Sequence, residues 1–388
     1  MQTTESLLSS RAVELRNATR EFVEREVEPR AREIEDTDSI PGELIERAKE
    51  IGLFAMSVPG EYGGLGLTMT EKAAVYEELG KTSNAFTTVI GCHTGIGSVG
   101  IVELASEEQK RRYLPRMASG ELVGAFALTE PEAGTDAANV QTRAVRDGDK
   151  FILNGHKRYI TNGPIADVVT VMASTEPEKG PRGITAFIVE SGFDGFSVGE
   201  HDDKMGLRGS YTGEIFFEDC EVPAENVLGE EGRGYANALR VLAAGRAGLP
   251  ARNLGSCQKL LELSLAHAKM REQFGAPIFE QQIIQHYLAE MAVEIEALRA
   301  MVYRVAAKVD SGERIIKEAA MVKLHGSEVY NRIADKAVQI HGGAGYMKEH
   351  QIERYYRDAR ITRIYEGTSE TQKNIIARQL GREYDESL

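Results

Sequence analysis

Ile284, Leu288, Met291, Ile295, Leu298, Val302 and Val305 recur every three or four residues over many turns. A stripe of that period on one long helix is satisfied only by packing against other helices, so the chain from Gly234 onward is read as a helical bundle. Gly312 and Gly326-Ser327 are candidate interruptions, the second also compatible with a helix interior. Ser10 to about Leu122 has a similar texture. Val13, Phe22, Val23 and Val27 precede Pro29, and Leu44, Ile45, Ala48 and Ile51 repeat the spacing. Gly52 and Pro59-Gly60-Glu61-Tyr62-Gly63-Gly64 break the pattern into a loop. Helices are expected again over Met69 to Leu79 and roughly Val89 to Leu104, followed by Glu107 to Met117 with Ser106 as N-cap.

Between about Gly124 and Glu225 the period changes to short β-rich runs: Phe151-Ile152-Leu153, Val168 to Met172, Thr185 to Val189 and Glu214 to Phe217. Asp147-Gly148-Asp149, Gly192 and Asp194-Gly195 separate them, and Asn154-Gly155 is a hairpin-type dipeptide, which suggests a small antiparallel barrel or sandwich. The class is α+β, with helices, then a β domain, then a helical bundle, and no internal repeat.

With 46 Lys+Arg against 60 Asp+Glu the formal net charge is −14, which argues against a nucleic-acid footprint and leaves small molecules and proteins as partners. Cys92, Cys220 and Cys257 are far apart and form no C-x-x-C pair, so neither a disulfide framework nor a metal site is expected, and buried thiols are the simplest reading. Met1 to Ser10 lacks a basic segment leading into an apolar run, and nowhere do 18 uncharged apolar residues stand together. No membrane span is expected, and the default location is the cytoplasm or an organelle matrix.

Six segments carry candidate chemistry, and each alone has an ordinary alternative. Phe126-Ala127-Leu128-Thr129-Glu130-Pro131 followed by Gly134-Thr135-Asp136 could aim backbone N–H groups and two hydroxyls at an anionic or heteroaromatic ligand, or be a turn with a helix cap. Tyr159-Ile160-Thr161-Asn162-Gly163 offers an aromatic face and a hydroxyl at a strand end, although strand aromatics are usually core. Arg271-Glu272-Gln273-Phe274-Gly275, with Gln282 beyond it, could clamp a pyrophosphate or make a surface ion pair. Gln339-Ile340-His341-Gly342-Gly343-Ala344-Gly345-Tyr346 would let a backbone approach a ligand closely, or simply end a helix. In Tyr365-Glu366-Gly367-Thr368-Ser369-Glu370, Glu366 stands in apolar surroundings that would raise its pKa into the range of a useful base, or it is a solvated acid before a helix capped at Thr368 or Ser369. Gly95-Ile96-Gly97-Ser98-Val99-Gly100 matches G-x-G-x-x-G but lacks the strand–helix alternation of a dinucleotide fold, so close helix packing or pocket lining explains it better.

In this order, Leu128-Thr129-Glu130-Pro131, Gly134-Thr135-Asp136, Tyr159 to Gly163, Arg271-x-x-Phe274-Gly275, Gln339-x-x-Gly342-Gly343-x-Gly345-Tyr346 and Tyr365-Glu366-Gly367-Thr368 make the chain resemble the acyl-CoA dehydrogenase flavoprotein family over essentially its whole length. The resemblance implies an N-terminal α-helical domain (1–122), a middle β-barrel domain (123–229) and a C-terminal four-helix bundle (230–388). It implies FAD, contacted by Phe126, Leu128, Thr129, Gly134, Thr135, Tyr159, Ile160 and Thr161. Arg271, Phe274, Gln282, Gln339, Gly342 and Gly343 would reach the FAD of a neighbouring subunit, with Thr368 and Glu370 closing the site. Thr135, Ala243, Arg246 and Gly367 match substrate-contacting positions. Glu366 matches the catalytic base, which takes the α proton of an acyl-CoA thioester while the β hydrogen leaves as hydride to flavin N5, giving a trans-2-enoyl-CoA.

A homotetramer, an electron-transfer flavoprotein as acceptor and a place in fatty acid β-oxidation are further implications. An acyl-CoA oxidase or another flavin reaction is the alternative within this scaffold, and a non-catalytic flavin-binding protein the alternative outside enzymes. Gly245 occupies the position from which a minority of the family supplies its Glu, which leaves room for Glu366. Departures and small residues also stand out. Ala243 and Ala244 stand where many relatives are acidic or polar, Tyr159 replaces a commoner Trp, and the small Gly91, Cys92 and Gly95 suggest room for a medium or branched acyl group.

Overall fold

The computed structural model describes residues 8–386, so most of the N-terminal stretch read above for a targeting signal lies outside the described residues. Helix α1 (Ser10–Phe22) is capped by Ser9, whose side chain accepts from the Ala12 N–H. Pro29 does not end it. The chain tightens through a π turn (Val23–Val27) and a 3-10 turn (Glu28–Arg30) into α2 (Ala31–Thr37), because the missing proline N–H falls in the first turn of a new segment. α3 (Gly42–Glu50) precedes the expected glycine-rich loop, and α4 (Met69–Leu79) opens with a capping box of Thr68 and Glu71. α5 (Asn84–Cys92) begins earlier than its apolar spacing suggests because the Ser83 hydroxyl caps it. A π turn (His93–Gly97) kinked at Gly95 leads to α6 (Ser98–Leu104), and α7 (Glu107–Ala118) has its own capping box, Ser106 with Gln109. The segment Asn84–Leu104 is long and apolar enough to cross a membrane, yet 78% of its window is buried inside the protein.

The middle of the chain is one curled, seven-stranded sheet: β1 (Gly124–Ala127), β2 (Arg143–Asp147), β3 (Lys150–Thr161), β4 (Val168–Ser174), β5 (Ile184–Glu190), β6 (Phe196–His201) and β7 (Thr212–Pro223), in the order β1-β4-β2-β3-β7-β6 with β5 also on β4. The sheet is mixed, not purely antiparallel, since β1 pairs with β4 in parallel and β2 meets β4 in parallel at Arg143 and Ser174. Asn154-Gly155 is not a hairpin turn. It lies within β3 at a bulge opposite β7, where a Cβ on residue 155 would stand 2.4 Å from the Thr142 hydroxyl oxygen, so glycine answers a close approach. The β2–β3 turn is at Gly148 (φ +61), between the two aspartates already noted.

The C-terminal part contains α8 (Gly234–Met270), a short hairpin of β8 (Glu272–Gln273) and β9 (Ala276–Pro277), α9 (Gln282–Asp310), α10 (Ile316–His341), a turn of helix α11 (Gly343–Tyr346), α12 (Ile352–Ile361) and α13 (Ser369–Glu386). Leu288, Met291, Ile295, Leu298, Val302 and Val305 are buried as the stripe demanded. Gly326-Ser327 lies inside α10: the glycine lets α10 close on Pro250 and Leu298, and the Ser327 hydroxyl donates to the Thr362 carbonyl at 2.8 Å. One apolar core runs from Phe22 and Phe86 through Leu254 and Leu298 to Ile333, tying both helical ends of the chain together.

Candidate active site

Glu366 sits in the link between α12 and α13 with φ +54, a left-handed conformation that a non-glycine residue adopts only when its surroundings hold it. They do so through its carbonyls. The Glu366 carbonyl accepts from Arg246 Nε at 2.8 Å and Gln372 Nε2 at 3.1 Å. The Gly367 carbonyl accepts from Lys323 Nζ at 2.7 Å and Gln372 Nε2 at 3.0 Å. Thr368 then caps α13, its hydroxyl accepting from the Thr371 N–H.

With the backbone fixed, the side chain turns inward. The residue is half-exposed as a whole, but Oε2 is buried and has no hydrogen-bond partner. A Cβ at Gly245 would stand 3.0 Å from that oxygen and 3.0 Å from Ile96, so α8 leaves the carboxylate its room by carrying glycine there. Burial raises the Glu366 pKa, and Arg252, Arg246 and Lys323 pull it back down in that order without cancelling the rise.

The second group of residues surrounds the turn after β1. The Thr129 carbonyl accepts from the Arg158 N–H at 2.9 Å, which sets this turn beside the end of β3. Beneath it, Glu130 receives the Thr142 N–H and hydroxyl and the Gln141 N–H, and pairs with Lys157 at 2.7 Å. Phe126, Leu128 and Ile160 are buried, whereas Gly134 and Thr135 are exposed and Thr129 and Thr161 half-exposed. Tyr159 is 63% exposed at φ +58, its ring 4.9 Å from the Arg158 guanidinium. Asn162 Nδ2 donates to the Val89 carbonyl at 3.0 Å and Cys92 Sγ to the Thr161 carbonyl at 3.5 Å, so α5 and its π turn join this turn to the Glu366 side.

A third group lies at one end of the bundle. Arg271 closes α8, Phe274 is 95% exposed at φ +54 on the tip of the β8–β9 hairpin, and Gln282 is the exposed first residue of α9. Gln339 is in the last turn of α10, which ends at Gly342 (φ +60), with open space over Gly342 and Gly343. The rings of His267 and His341 stack with centroids 4.3 Å apart, bringing the ends of α8 and α10 together. Exposed Glu370 stands in the first turn of α13, and Ala243 is half-exposed on α8.

Lys157, Lys323, Arg252 and Gln372 were not picked out from the sequence. Buried lysines carry no local signature, and Gln372 lies two residues past the segment around Glu366. In the G-x-G-x-x-G segment Gly97 serves close packing, its Cβ position 2.7 Å from the Gly124 carbonyl oxygen, whereas nothing stands within 4 Å of a Cβ at Gly95. Burial pushes the Cys92 thiol up to about 12 and Cys220 to about 11, which keeps both protonated.

Two helical regions flank a curled sheet, with a desolvated carboxylate against the long bundle helix, and this is not the strand–helix alternation of a dinucleotide fold. Sequence models described as acyl-CoA dehydrogenase N-terminal, middle and C-terminal domains match residues 9–121, 125–220 and 232–381. The chain belongs to the acyl-CoA dehydrogenase family, whose cofactor is FAD. It is 44% identical over 368 residues to the acryloyl-CoA reductase (NADH) of Anaerotignum propionicum, covering 94% of this chain and 93% of the relative. Butyryl-CoA dehydrogenase from Megasphaera elsdenii superposes with a TM-score of 0.94 at 38% identity, over 96% of this chain and 98% of the other. A chain solved in work on the electron transferring flavoprotein of Acidaminococcus fermentans and flavin-based electron bifurcation gives 0.94 at 41% identity, over 96% and 98%.

Proposed function

We propose that this protein dehydrogenates an acyl-CoA thioester between its α and β carbons, with Glu366 as the base. The observation that carries the reading is the buried, unpartnered Oε2 of Glu366 facing the bare backbone of Gly245. A carboxylate without donors keeps its proton affinity, and burial tunes it toward neutral pH. Arg246, Lys323 and Gln372 hold the two carbonyls of the Glu366-Gly367 link, which fixes the carboxylate for attack on one position of a bound chain. The backbone N–H of Glu366 would donate to the thioester carbonyl and acidify the α carbon.

FAD, when bound, supplies the acceptor that takes the β hydrogen as hydride. The residues present fit it. Tyr159 offers an exposed aromatic face, Gly134 leaves open space beside Thr129 and Thr135, and the exposed Phe274 with the open Gly342-Gly343 backbone offers a second surface suited to a neighbouring subunit's cofactor. Arg271, Gln282 and Gln339 would complete that surface, with Phe126, Leu128, Ile160, Thr161, Thr368 and Glu370 around the first. Thr135, Ala243 and Gly367 would line the substrate. This reading uses boundaries near residues 122 and 229, a homotetramer, an electron-transfer flavoprotein as acceptor, a role in β-oxidation and a cytoplasmic location. The relative named as an acryloyl-CoA reductase favours a second direction, in which Glu366 returns the α proton to an enoyl thioester.

Anaerobic titration of the yellow protein with acyl-CoA should bleach its flavin. Glu366→Gln should keep FAD and abolish bleaching, and bleaching that survives the substitution overturns the assignment of the base.

A further inference from the structure

Three cationic side chains are buried around Glu366: Arg246 at 7% exposure, Arg252 at 9% and Lys323 at 0%. Among the described residues none has a carboxylate oxygen within 4.0 Å, and Glu366 is the first acid to act on Arg246 and Lys323. Two of the three are occupied with the carbonyls of the Glu366-Gly367 link. Arg252 is not. Its Nη1 makes one long hydrogen bond to the Thr87 carbonyl, 3.3 Å, and its Nε and Nη2 have no hydrogen-bond partner among the described residues. A guanidinium has five donors in a planar fork, so the Nε and Nη2 donors of Arg252 are free to meet an anion.

The place is built for this side chain. A Cβ on residue 91 would lie 2.6 Å from Nη1 and 2.8 Å from Cζ, so Gly91 gives its space to the guanidinium and not to an acyl group, contrary to the expectation drawn from its size. Gly95, four residues on, has nothing within 4 Å of its Cβ position, so open space remains next to Ile96, which itself lies 3.0 Å from the Cβ position of Gly245 beside Glu366. The buried Cys92 thiol and Tyr76 phenol and the half-buried Tyr365 phenol, all held protonated, are the other titratable groups that feel both Arg252 and Glu366, and none supplies a negative charge.

We propose that Arg252 recognises a second carboxylate on the acyl chain, so that the substrate is the monothioester of a dicarboxylic acid and not a plain fatty acyl-CoA. The inference rests on the dehydrogenation reading above and narrows its substrate class. A planar guanidinium pairs with a carboxylate through two parallel hydrogen bonds, and an uncharged methyl end would leave it buried and unpaired, which is the kind of polar mismatch that discriminates strongly.

The test compares thioesters matched in chain length, glutaryl-CoA with valeryl-CoA and adipyl-CoA with hexanoyl-CoA, by anaerobic bleaching of the holoprotein. The dicarboxylic member should be favoured in kcat/KM by about a hundredfold or more. Arg252→Gln should abolish that ratio and Arg252→Lys should keep part of it. Equal or better use of the uncharged thioesters by the wild-type protein overturns the proposal. So does an Arg252→Gln protein whose acid limb moves for every substrate while the ratio stays, since Arg252 would then only tune Glu366. If no thioester bleaches the flavin, the dehydrogenation reading fails by itself. Calorimetric binding of glutaryl-CoA and valeryl-CoA to Glu366→Gln protein still decides Arg252, with preference for the dicarboxylic thioester supporting it and equal binding refuting it.

Discussion

Lys157 is the buried cation whose removal the structure makes easiest to quantify. It sits on β3 at 0% exposure, with Nζ 2.7 Å from Glu130 Oε1, 2.7 Å from the Met172 carbonyl and 3.2 Å from the Leu128 carbonyl. Burial pushes the Glu130 carboxyl up, but Lys157 and the donors of Thr142 and Gln141 outweigh it and hold the group below the usual range, so the pair is ionised near neutral pH. Lys157→Met keeps the volume and strands the carboxylate, which should cost about 3–5 kcal/mol. Adding Glu130→Gln removes the stranded charge but leaves the Gln141 N–H without its acceptor, at about 1–3 kcal/mol. The double variant should therefore regain roughly 2 kcal/mol over the single one, a difference that their denaturant midpoints would measure, and the Glu130→Gln single variant completes the cycle that gives the coupling. Because the pair anchors the turn carrying Thr129, Gly134 and Thr135, the single variant should also lose FAD on gel filtration. A Lys157→Met protein within 1 kcal/mol of wild type, or a double variant no more stable than the single, would refute the reasoning.

Two further perturbations act on stability. His93 is fully buried, with Nδ1 accepting from the Gly124 N–H at 3.0 Å and Nε2 bonded to the Met117 carbonyl at 3.1 Å, and burial pushes its pKa down to about 4. The unfolded chain takes up this proton near pH 6.5 and the folded one only near 4, so stability present above 6.5 is lost as pH falls through that window, by about 3 kcal/mol. His93→Gln should flatten this part of the stability–pH curve, and an unchanged slope between pH 6.5 and 4 would count against it. Gly255→Ala would place a Cβ 2.0 Å from the Glu77 carbonyl oxygen and 3.0 Å from Gly80, where α8 crosses α4. Separating the two backbones should cost about 2 kcal/mol despite the better helix propensity of alanine, read as a lower thermal midpoint.

What the sequence made legible follows from where the information is local. Apolar period found the bundle, and Ser106 was readable as a cap because capping involves neighbours only. β2 and β6 escaped notice because their side chains are largely exposed, which leaves no apolar alternation to read. Asn154-Gly155 misled for the opposite reason. The dipeptide is a turn signal locally, whereas its glycine answers Thr142 on the neighbouring chain segment, and Asn154 bonds to Asp219 across the sheet. Glu366 could be picked out as a candidate, but its orphaned oxygen, its φ of +54 and the three cations around it come from residues 246, 252 and 323, and no spacing rule connects those numbers.

The formal charge of −14 looks hostile to an anionic CoA thioester until it is separated by distance. Exposed acids act through water and salt, and at physiological ionic strength their influence fades over about 8 Å. Many of them are also answered locally, as Glu33 and Glu43 are by Arg30, and Glu190 and Glu225 by Arg112. Around Glu366 the balance is reversed: two arginines and a lysine, all largely buried, surround its carboxylate, while Glu328 and Glu370 also act on the lysine. Part of that excess is relieved because burial pulls Lys323 down to about 8. A protein that is acidic overall is thus cationic where the acyl group would lie. The same cations that keep Glu366 from rising further in pKa also leave positive charge beside it, so on the proposed reading base strength and selection for a negatively charged acyl end would be set by one group of side chains.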